Sequence, residues 1–125
     1  MLLSINIANA TSTINSSIRG TSVRQETIEE KIRSIFPSSI EDTMLAIARC
    51  ESNLNAKARN LTKKEDSRGI FQVNITAHPQ YDPVKLYEVD YNLLAAFDLW
   101  MKNGTNPWYN CLNKVAPSNA AIIGN

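Results

Sequence analysis

Glu51 is the residue whose type and position point most directly to chemistry. It falls on the apolar face of a predicted helix, four residues after Ile47 and seven after Met44. An apolar environment disfavours an ionised carboxylate, so the pKa of such a side chain rises and the group stays protonated near neutral pH. A protonated carboxyl in a cleft can donate its proton to the leaving oxygen of a glycosidic bond. The alternative is a glutamate at a helix end that turns to solvent or pairs with Arg49 or Lys57.

Two segments separated by a polar loop carry a resemblance to a known family. Residues 50–55 read Cys-Glu-Ser-Asn-Leu-Asn, and residues 69–74 read Gly-Ile-Phe-Gln-Val-Asn. This pattern resembles the active-site segments of the lysozyme superfamily, which includes animal lysozymes and the lytic transglycosylases of bacteria and phages. The later part of the chain adds shorter matches at His78-Pro79, Tyr81-Asp82-Pro83, Asn92-Leu93 with Ala96, and Pro107-Trp108. The resemblance covers roughly Ile40 to Cys111.

The resemblance implies a fold, a substrate and a set of site residues. The fold is α+β and mainly α, lysozyme-like, with a small β or loop element beside the catalytic helix. The reaction is cleavage of the β-1,4 bond between N-acetylmuramic acid and N-acetylglucosamine in peptidoglycan, with Glu51 as general acid and base and with no metal or organic cofactor. The substrate-binding residues would be Ser67, Gln72, Asn74, Tyr91, Asn92 and Trp108. For Trp108 the alternative is a core residue, and for Asn92 an ordinary first-turn residue behind Asp90.

A second acidic residue is the feature that separates two reactions. Hydrolytic glycosidases use a pair of carboxyl groups, and animal lysozymes have an Asp two residues before the glycine, where this chain has Ser67. Asp66 and Glu65 are the nearest acids, and Asp66 is a candidate second acid if a loop turns it, because on a strand it would face the other way. Its alternative is a solvated loop acid paired with a basic neighbour.

Lytic transglycosylases use one carboxyl for both halves of the reaction. It protonates the leaving oxygen and then acts as base while the muramyl 6-hydroxyl attacks its own anomeric carbon, which gives a 1,6-anhydro end. The lack of an Asp at the position of Ser67 therefore favours transglycosylation, with the hydrolytic lysozyme as the alternative.

Three helices are predicted to position these residues. The first runs from about Val23 to Phe36 behind a Ser22–Gln25 capping box. The second begins after Ser38 or Ser39 and runs to about Leu54. The third has Asp90 as its N-cap and Gly104 as its αL terminator, with a core stripe that comprises Leu93, Phe97, Trp100 and Met101.

The chain between the second and third helices has shorter signals. Residues 55–68 are polar and predict a loop or a weak hairpin, whereas residues 69–74 predict a small strand or a buried turn. Asp82-Pro83 could open a short helix.

Composition favours one compact domain. The chain has 125 residues, is 43% hydrophobic and has a net charge of +1, so it lacks the basic excess typical of nucleic-acid binding. Residues 1–21 are rich in Ser, Thr and Asn and predict a flexible arm, with residues 22–125 as the lysozyme-like domain. With His78 as the single histidine, a zinc site is not expected. Cys50 and Cys111 could form a disulfide or remain buried thiols.

Localisation is inferred from the substrate. Peptidoglycan lies in the periplasm or the cell wall, yet the first ten residues are unlike a secretory signal, and no segment is apolar enough to span a membrane. The expectation is a protein carried by a phage particle or delivered by another protein, with the arm binding virion or secretion-apparatus proteins. Two other readings stay open: a non-catalytic structural or wall-binding component of such a machine, and a helical regulatory module with a chance motif.

Overall fold

A computed structural model describes residues 23–115, which form four α-helices and one small antiparallel sheet. The helices are α1 (Ile28–Ile35), α2 (Glu41–Ser52), α3 (Val89–Asn103) and α4 (Tyr109–Val115). The strands are β1 (Arg59–Leu61), β2 (Asp66–Arg68) and β3 (Val73–Asn74), and two short 3-10 helices cover Lys85–Tyr87 and Asn106–Trp108. The predicted class, α+β and mainly α, is confirmed. The predicted arm, residues 1–21, lies outside the described residues, as do residues 116–125.

Helix α1 begins later than its apolar stripe predicted. Residues 23–27 are not helical, and Thr27 is the N-cap: its hydroxyl accepts from the Glu30 backbone N–H at 3.1 Å, while the Glu30 carboxylate accepts from the Thr27 N–H at 2.9 Å. The predicted start at Val23 is wrong. The observed capping box contains the anionic Glu30, and the positive N-terminus of a helix favours this carboxylate over the neutral Gln25 of the predicted box. Ser22 lies outside the described residues.

Helix α2 has different ends from those predicted. Ile40 occupies the N-cap position without a side-chain cap, so neither Ser38 nor Ser39 caps the helix. The backbone N–H groups of Ile40 and Glu41 donate instead to the Pro37 carbonyl at 2.9 and 3.0 Å. The helix ends at Ser52 rather than near Leu54, because Asn53 and Leu54 have φ angles of 54° and 60°.

The three strands form a hairpin extended by one further strand. Their order is β1-β2-β3, and Ser67 is paired with Asn60 on one side and with Asn74 on the other. The predicted weak hairpin is thus confirmed. Residues 69–74 contain both predicted structures, since residues 69–72 form a turn and Val73–Asn74 a strand.

Helix α3 is the longest helix of the described chain. Its N-cap is Glu88, so Asp90 lies in the first turn and is not the cap that the sequence predicted. Gly104 ends the helix as predicted, although its φ and ψ of 61° and −139° are not αL. Met101 is 64% exposed and is not part of the core stripe, whereas Leu93 and Leu99 are buried. The short helix after Asp82-Pro83 is a 3-10 helix, preceded by a turn in which the Asp82 carboxylate accepts from the N–H groups of Val84 and Lys85.

The core lies where the helices meet the residue 69–72 turn. Phe71 is fully buried, with ring centroids 5.8 Å from Phe36 and 5.6 Å from Trp108. Cys50 of α2 and Cys111 of α4 form a disulfide with their Cα atoms 5.8 Å apart, which settles the choice between a bridge and free thiols. Among residues 23–115, no helix is long and apolar enough to cross a membrane.

Candidate active site

Glu51 stands in the last turn of α2, half-buried, on the wall of a cleft of about 410 Å³. The other lining side chains used below come from the sheet region, from the loop after β3 and from α4. They are Glu65, Ser67, Gln72, Asn74, His78, Tyr109 and Lys114. The cleft is therefore mostly polar, with a carboxyl group at the end of a helix whose buried face includes Met44 and Ile47.

The surroundings of Glu51 keep its carboxyl protonated. Burial is the main cause that raises the pKa of Glu51, the negative charge of Glu65 adds to it and the Lys114 ammonium opposes it, so that the pKa lies at about 7. A carboxylic acid with a pKa near 7 is still substantially protonated at neutral pH and can also work as a base once it has lost its proton.

Ser52 joins the end of α2 to the turn formed by residues 69–72. Its hydroxyl donates to the Ile70 carbonyl at 2.7 Å, and the Ala48 carbonyl of the same helix lies at 3.2 Å. The Glu-Ser pair thus has two functions: Glu51 faces the cleft, and Ser52 fixes the helix end beside the sheet.

Asn92 fixes the same turn from α3. Its amide is fully buried, accepts from the Phe71 N–H at 2.8 Å, and donates to the carbonyls of Arg68 and Leu86 at 2.9 Å each. Gly69 packs directly against it with a φ of 81°, and a Cβ atom there would lie 2.2 Å from the Asn92 amide nitrogen and from the Leu86 carbonyl oxygen. The turn therefore requires glycine at this position on grounds of both space and backbone angle.

Trp108 holds the turn from a third side. Its indole N–H donates to the Phe71 carbonyl at 2.8 Å, and the side chain is 2% exposed. Side chains from three helical segments thus form hydrogen bonds with backbone groups of Arg68, Ile70 and Phe71.

A protein-family model for a lysozyme-like domain matches residues 36–110, which is more than half of the chain. The chain belongs to this lysozyme-like family. Membership makes peptidoglycan the substrate class and a glycosidase or transglycosylase reaction the activity class. No match was found among curated proteins or among solved structures.

Gln72 and Asn74, two of the predicted substrate-binding residues, line the cleft. The Gln72 amide nitrogen donates to the carbonyls of Ala58 and Gly69 at 3.1 and 3.0 Å. The Asn74 side-chain oxygen accepts from the N–H groups of Asp66 and Thr76 at 3.1 and 3.0 Å. These hydrogen bonds connect both side chains to the backbone around the sheet. Contact of either side chain with a sugar remains a prediction.

Three predicted substrate contacts need correction. Asn92 is fully buried, and its side-chain amide forms hydrogen bonds with backbone groups. It therefore positions the turn and does not reach a ligand. Trp108 is a core residue, which was the alternative to a substrate contact, because its buried ring has no open face on which a sugar could stack. Tyr91 is not among the cleft-lining residues, and its hydroxyl accepts from the Asp82 N–H at 2.9 Å. The exposed aromatic side chain on the cleft wall is Tyr109, which is 63% exposed.

Asp66 is not placed as a second acid. Its carboxylate receives hydrogen bonds from Arg59 and Arg68, at distances from 2.9 to 3.1 Å, and these two guanidinium groups hold its pKa far below the usual range. Arg68 also donates to the Pro83 carbonyl at 2.9 Å. Asp66 thus connects the hairpin to the loop before α3, outside the cleft.

The carboxyl group that does share the cleft with Glu51 is that of Glu65. Ser67, predicted as a substrate contact, is 1% exposed and donates its hydroxyl to the Glu65 carboxylate at 2.5 Å. The sequence signal for Glu65 was its two-residue separation from Ser67, because alternate residues of a strand share a face. Lys114 of α4 was also missed, since it lies far from Glu51 in the sequence, on a helix that the Cys50–Cys111 disulfide joins to α2.

His78 lines the cleft, and its ring lies 6.4 Å from that of Tyr81. Across residues 23–115, no cluster of three or more His, Cys, Asp or Glu side chains could hold a metal ion.

Proposed function

We propose that this protein cleaves the bond between N-acetylmuramic acid and N-acetylglucosamine in peptidoglycan by lytic transglycosylation, with Glu51 as general acid and base. The observation that carries the proposal is the half-buried Glu51 on the wall of a polar cleft, with a pKa raised to about 7. An acid with this pKa can exchange a proton in both directions near neutral pH.

The first half of the reaction uses the protonated form of Glu51. Its proton goes to the bridging oxygen as the bond between that oxygen and the muramyl anomeric carbon breaks, and N-acetylglucosamine leaves with a free hydroxyl. Burial supports this step because it raises the pKa of Glu51, so that a large share of the molecules carries the proton on this carboxyl group near neutral pH.

The second half uses the same side chain as a base. The muramyl 6-hydroxyl attacks its own anomeric carbon, a carbon–oxygen bond forms, and the hydroxyl proton passes to Glu51. The product is a 1,6-anhydromuramyl end, and the acid regains its starting form. Asp66 does not take part, because two arginines hold it outside the cleft.

Hydrolysis is the second candidate, and the presence of Glu65 in the cleft favours it. A pair of carboxyl groups is the arrangement that hydrolytic glycosidases use, and Glu51 and Glu65 line one cleft. In that case water takes the place of the 6-hydroxyl, and the product has a reducing muramic end.

The test is mass spectrometry of the soluble muropeptides released from purified peptidoglycan by the wild type and by Glu51→Gln. Anhydromuramyl ends from the wild type alone are the expected result, and Glu88→Gln, an exposed glutamate outside the cleft, is the matched control. Reducing ends would establish hydrolysis. Release of fragments by neither wild type nor variant would overturn the enzyme proposal and leave a structural or wall-binding role.

The site of action follows as part of the same proposal. Peptidoglycan places the reaction in the periplasm or the cell wall. The Cys50–Cys111 disulfide supports this location, because such bonds persist in oxidising compartments outside the cytoplasm.

A further inference from the structure

Helix α4 forms one wall of the cleft and has two distinct sides. On one side, Cys111 is buried and bonded to α2, and Leu112 and Val115 pack against the core. On the other side, Asn110 and Lys114 line the cleft. These two residues are four positions apart and therefore share one side of the helix. The packing of α4 thus directs the Lys114 side chain into the cleft.

The ammonium group of Lys114 has no protein partner within residues 23–115. Lys31 and Lys102 form ion pairs with Asp90 and Asp98, whereas no such pair involves the exposed Lys114. Among the described residues that line the cleft, Lys114 is also the one lysine or arginine. The cleft therefore presents a single strong cation whose hydrogen-bond donors are available to a ligand.

The charge of Lys114 acts at the centre of the cleft. It opposes the rise in the pKa of Glu51 that burial and Glu65 cause, so the ammonium lies near enough to influence the proton of the acid. An anion bound by Lys114 would therefore lie close to the sugar whose bond Glu51 breaks.

The chemistry of peptidoglycan offers one class of anion at this place. The two sugars of the glycan backbone have hydroxyl and acetamido groups, which are uncharged. Negative charge is found on the stem peptide, which is attached to the lactyl group of N-acetylmuramic acid and has free carboxylates. The muramyl residue is the one whose anomeric carbon reacts, so its stem peptide begins beside the bond that is cleaved.

We propose that Lys114 binds a carboxylate of the stem peptide, so that this cleft selects strands whose stem peptides are negatively charged. The inference rests on the proposed function, which supplies the substrate. An ammonium group binds a carboxylate more strongly than a neutral carboxamide, because the hydrogen bond is assisted by both charges. Lys114 takes no part in the proton transfers, which remain those of Glu51, and is a specificity residue.

The test compares kcat/KM on two forms of soluble, uncross-linked glycan strands that bear stem peptides. One form has free carboxylates, and in the other the same carboxylates are converted to carboxamides with carbodiimide and ammonia. The wild type should prefer the free form by about tenfold. Lys114→Met should reduce this preference to less than about twofold, and Lys114→Arg should keep most of it. Lys63→Met, which removes an exposed lysine outside the cleft, should keep the wild-type preference.

The ratio of the two kcat/KM values separates stem binding from the influence of Lys114 on Glu51. Loss of the ammonium raises the pKa of Glu51 in the free enzyme, which changes kcat/KM on both forms by the same factor. The ratio therefore changes only if Lys114 acts on the groups that amidation alters. A wild-type ratio in Lys114→Met, or a wild type that does not distinguish the two forms, would overturn the assignment.

A binding measurement distinguishes failure of this inference from failure of the proposed function. In calorimetric titrations, Glu51→Gln should bind the free form with a Kd about tenfold lower than that of the amidated form. The difference should disappear when Lys114→Met is added to Glu51→Gln. If this pattern appears but the wild type releases no fragments from peptidoglycan, the proposed function fails and Lys114 stands as a carboxylate-binding residue. If the wild type cleaves while neither Kd nor kcat/KM depends on amidation, the role of Lys114 fails alone.

Discussion

The hydroxyl of Ser52 donates a hydrogen bond to the Ile70 carbonyl at 2.7 Å, and this contact joins the end of the helix that carries Glu51 to the turn that supports the sheet. The two residues are 18 positions apart in the chain. The orientation of Glu51 thus depends on a neighbour that faces away from the cleft.

Replacement of Ser52 by alanine should reduce both stability and activity. The Ile70 carbonyl would lose its side-chain partner, which costs about 1 kcal/mol of unfolding free energy. The looser helix end should lower peptidoglycan cleavage by about tenfold. Urea unfolding and the release of dye from labelled peptidoglycan measure the two effects. Ser52→Thr keeps the hydroxyl and should recover most of both, and an equal loss in Ser52→Thr would contradict the role given to this bond.

Asn92→Asp should destabilise the protein although the two side chains have nearly the same shape. An ionised aspartate cannot donate to the carbonyls of Arg68 and Leu86, so two buried acceptors would face a buried charge. We expect a loss of about 3 kcal/mol or more in urea unfolding at pH 7, which is large for a conservative change. Protonation lets aspartate donate one hydrogen bond, so the loss should shrink near pH 4. A variant as stable as the wild type at pH 7 would disprove the assigned hydrogen bonds.

Reduction of the disulfide should loosen the wall of the cleft. Cys50 and Cys111 are 61 residues apart in the chain, and a bridge across a loop of this size contributes about 2–4 kcal/mol. The melting temperature should fall on addition of a reductant, and Cys50→Ser with Cys111→Ser should reproduce the fall without further change on reduction. Activity should decrease at temperatures well below melting, because α4 carries Lys114 and Tyr109. Unchanged activity in the reduced protein would show that α4 keeps its place without the bridge.

The pKa of Glu51 predicts that its removal stabilises the protein at neutral pH. A carboxyl whose folded pKa is about 7, above its ordinary value of 4.5, binds its proton more tightly in the folded state. Stability therefore declines as pH rises between these two values and stays lower above pH 7. Glu51→Gln should remove this decline and be about 1–3 kcal/mol more stable than the wild type at pH 8, with little difference at pH 4. Chemical unfolding of the wild type and of Glu51→Gln at pH 4 and pH 8 measures this difference. Equal stability of the two proteins at pH 8 would contradict the cost of burying the ionised Glu51 carboxylate.

The sequence predicts the parts of this site that depend on local periodicity. Glu51 could be placed on the buried face of α2 because its spacing from Ile47 and Met44 is a property of one helix. The assignment of Asp66 failed because a shift of one residue along β2 moves a side chain to the opposite face. The partner set of Asn92 could not be predicted either, since its hydrogen bonds reach residues 6, 21 and 24 positions away.

The contact between Gly69 and Asn92 also limits how this protein can change over evolutionary time. Any side chain at Gly69 would overlap the amide of Asn92 and the Leu86 carbonyl, so a first substitution there is harmful unless α3 has already moved. A smaller residue at position 92 would make room but would leave three backbone groups without partners. Neither single step is tolerated, and the hairpin and α3 are therefore expected to be inherited as one unit, while exposed positions such as Leu61 and Met101 are free to vary.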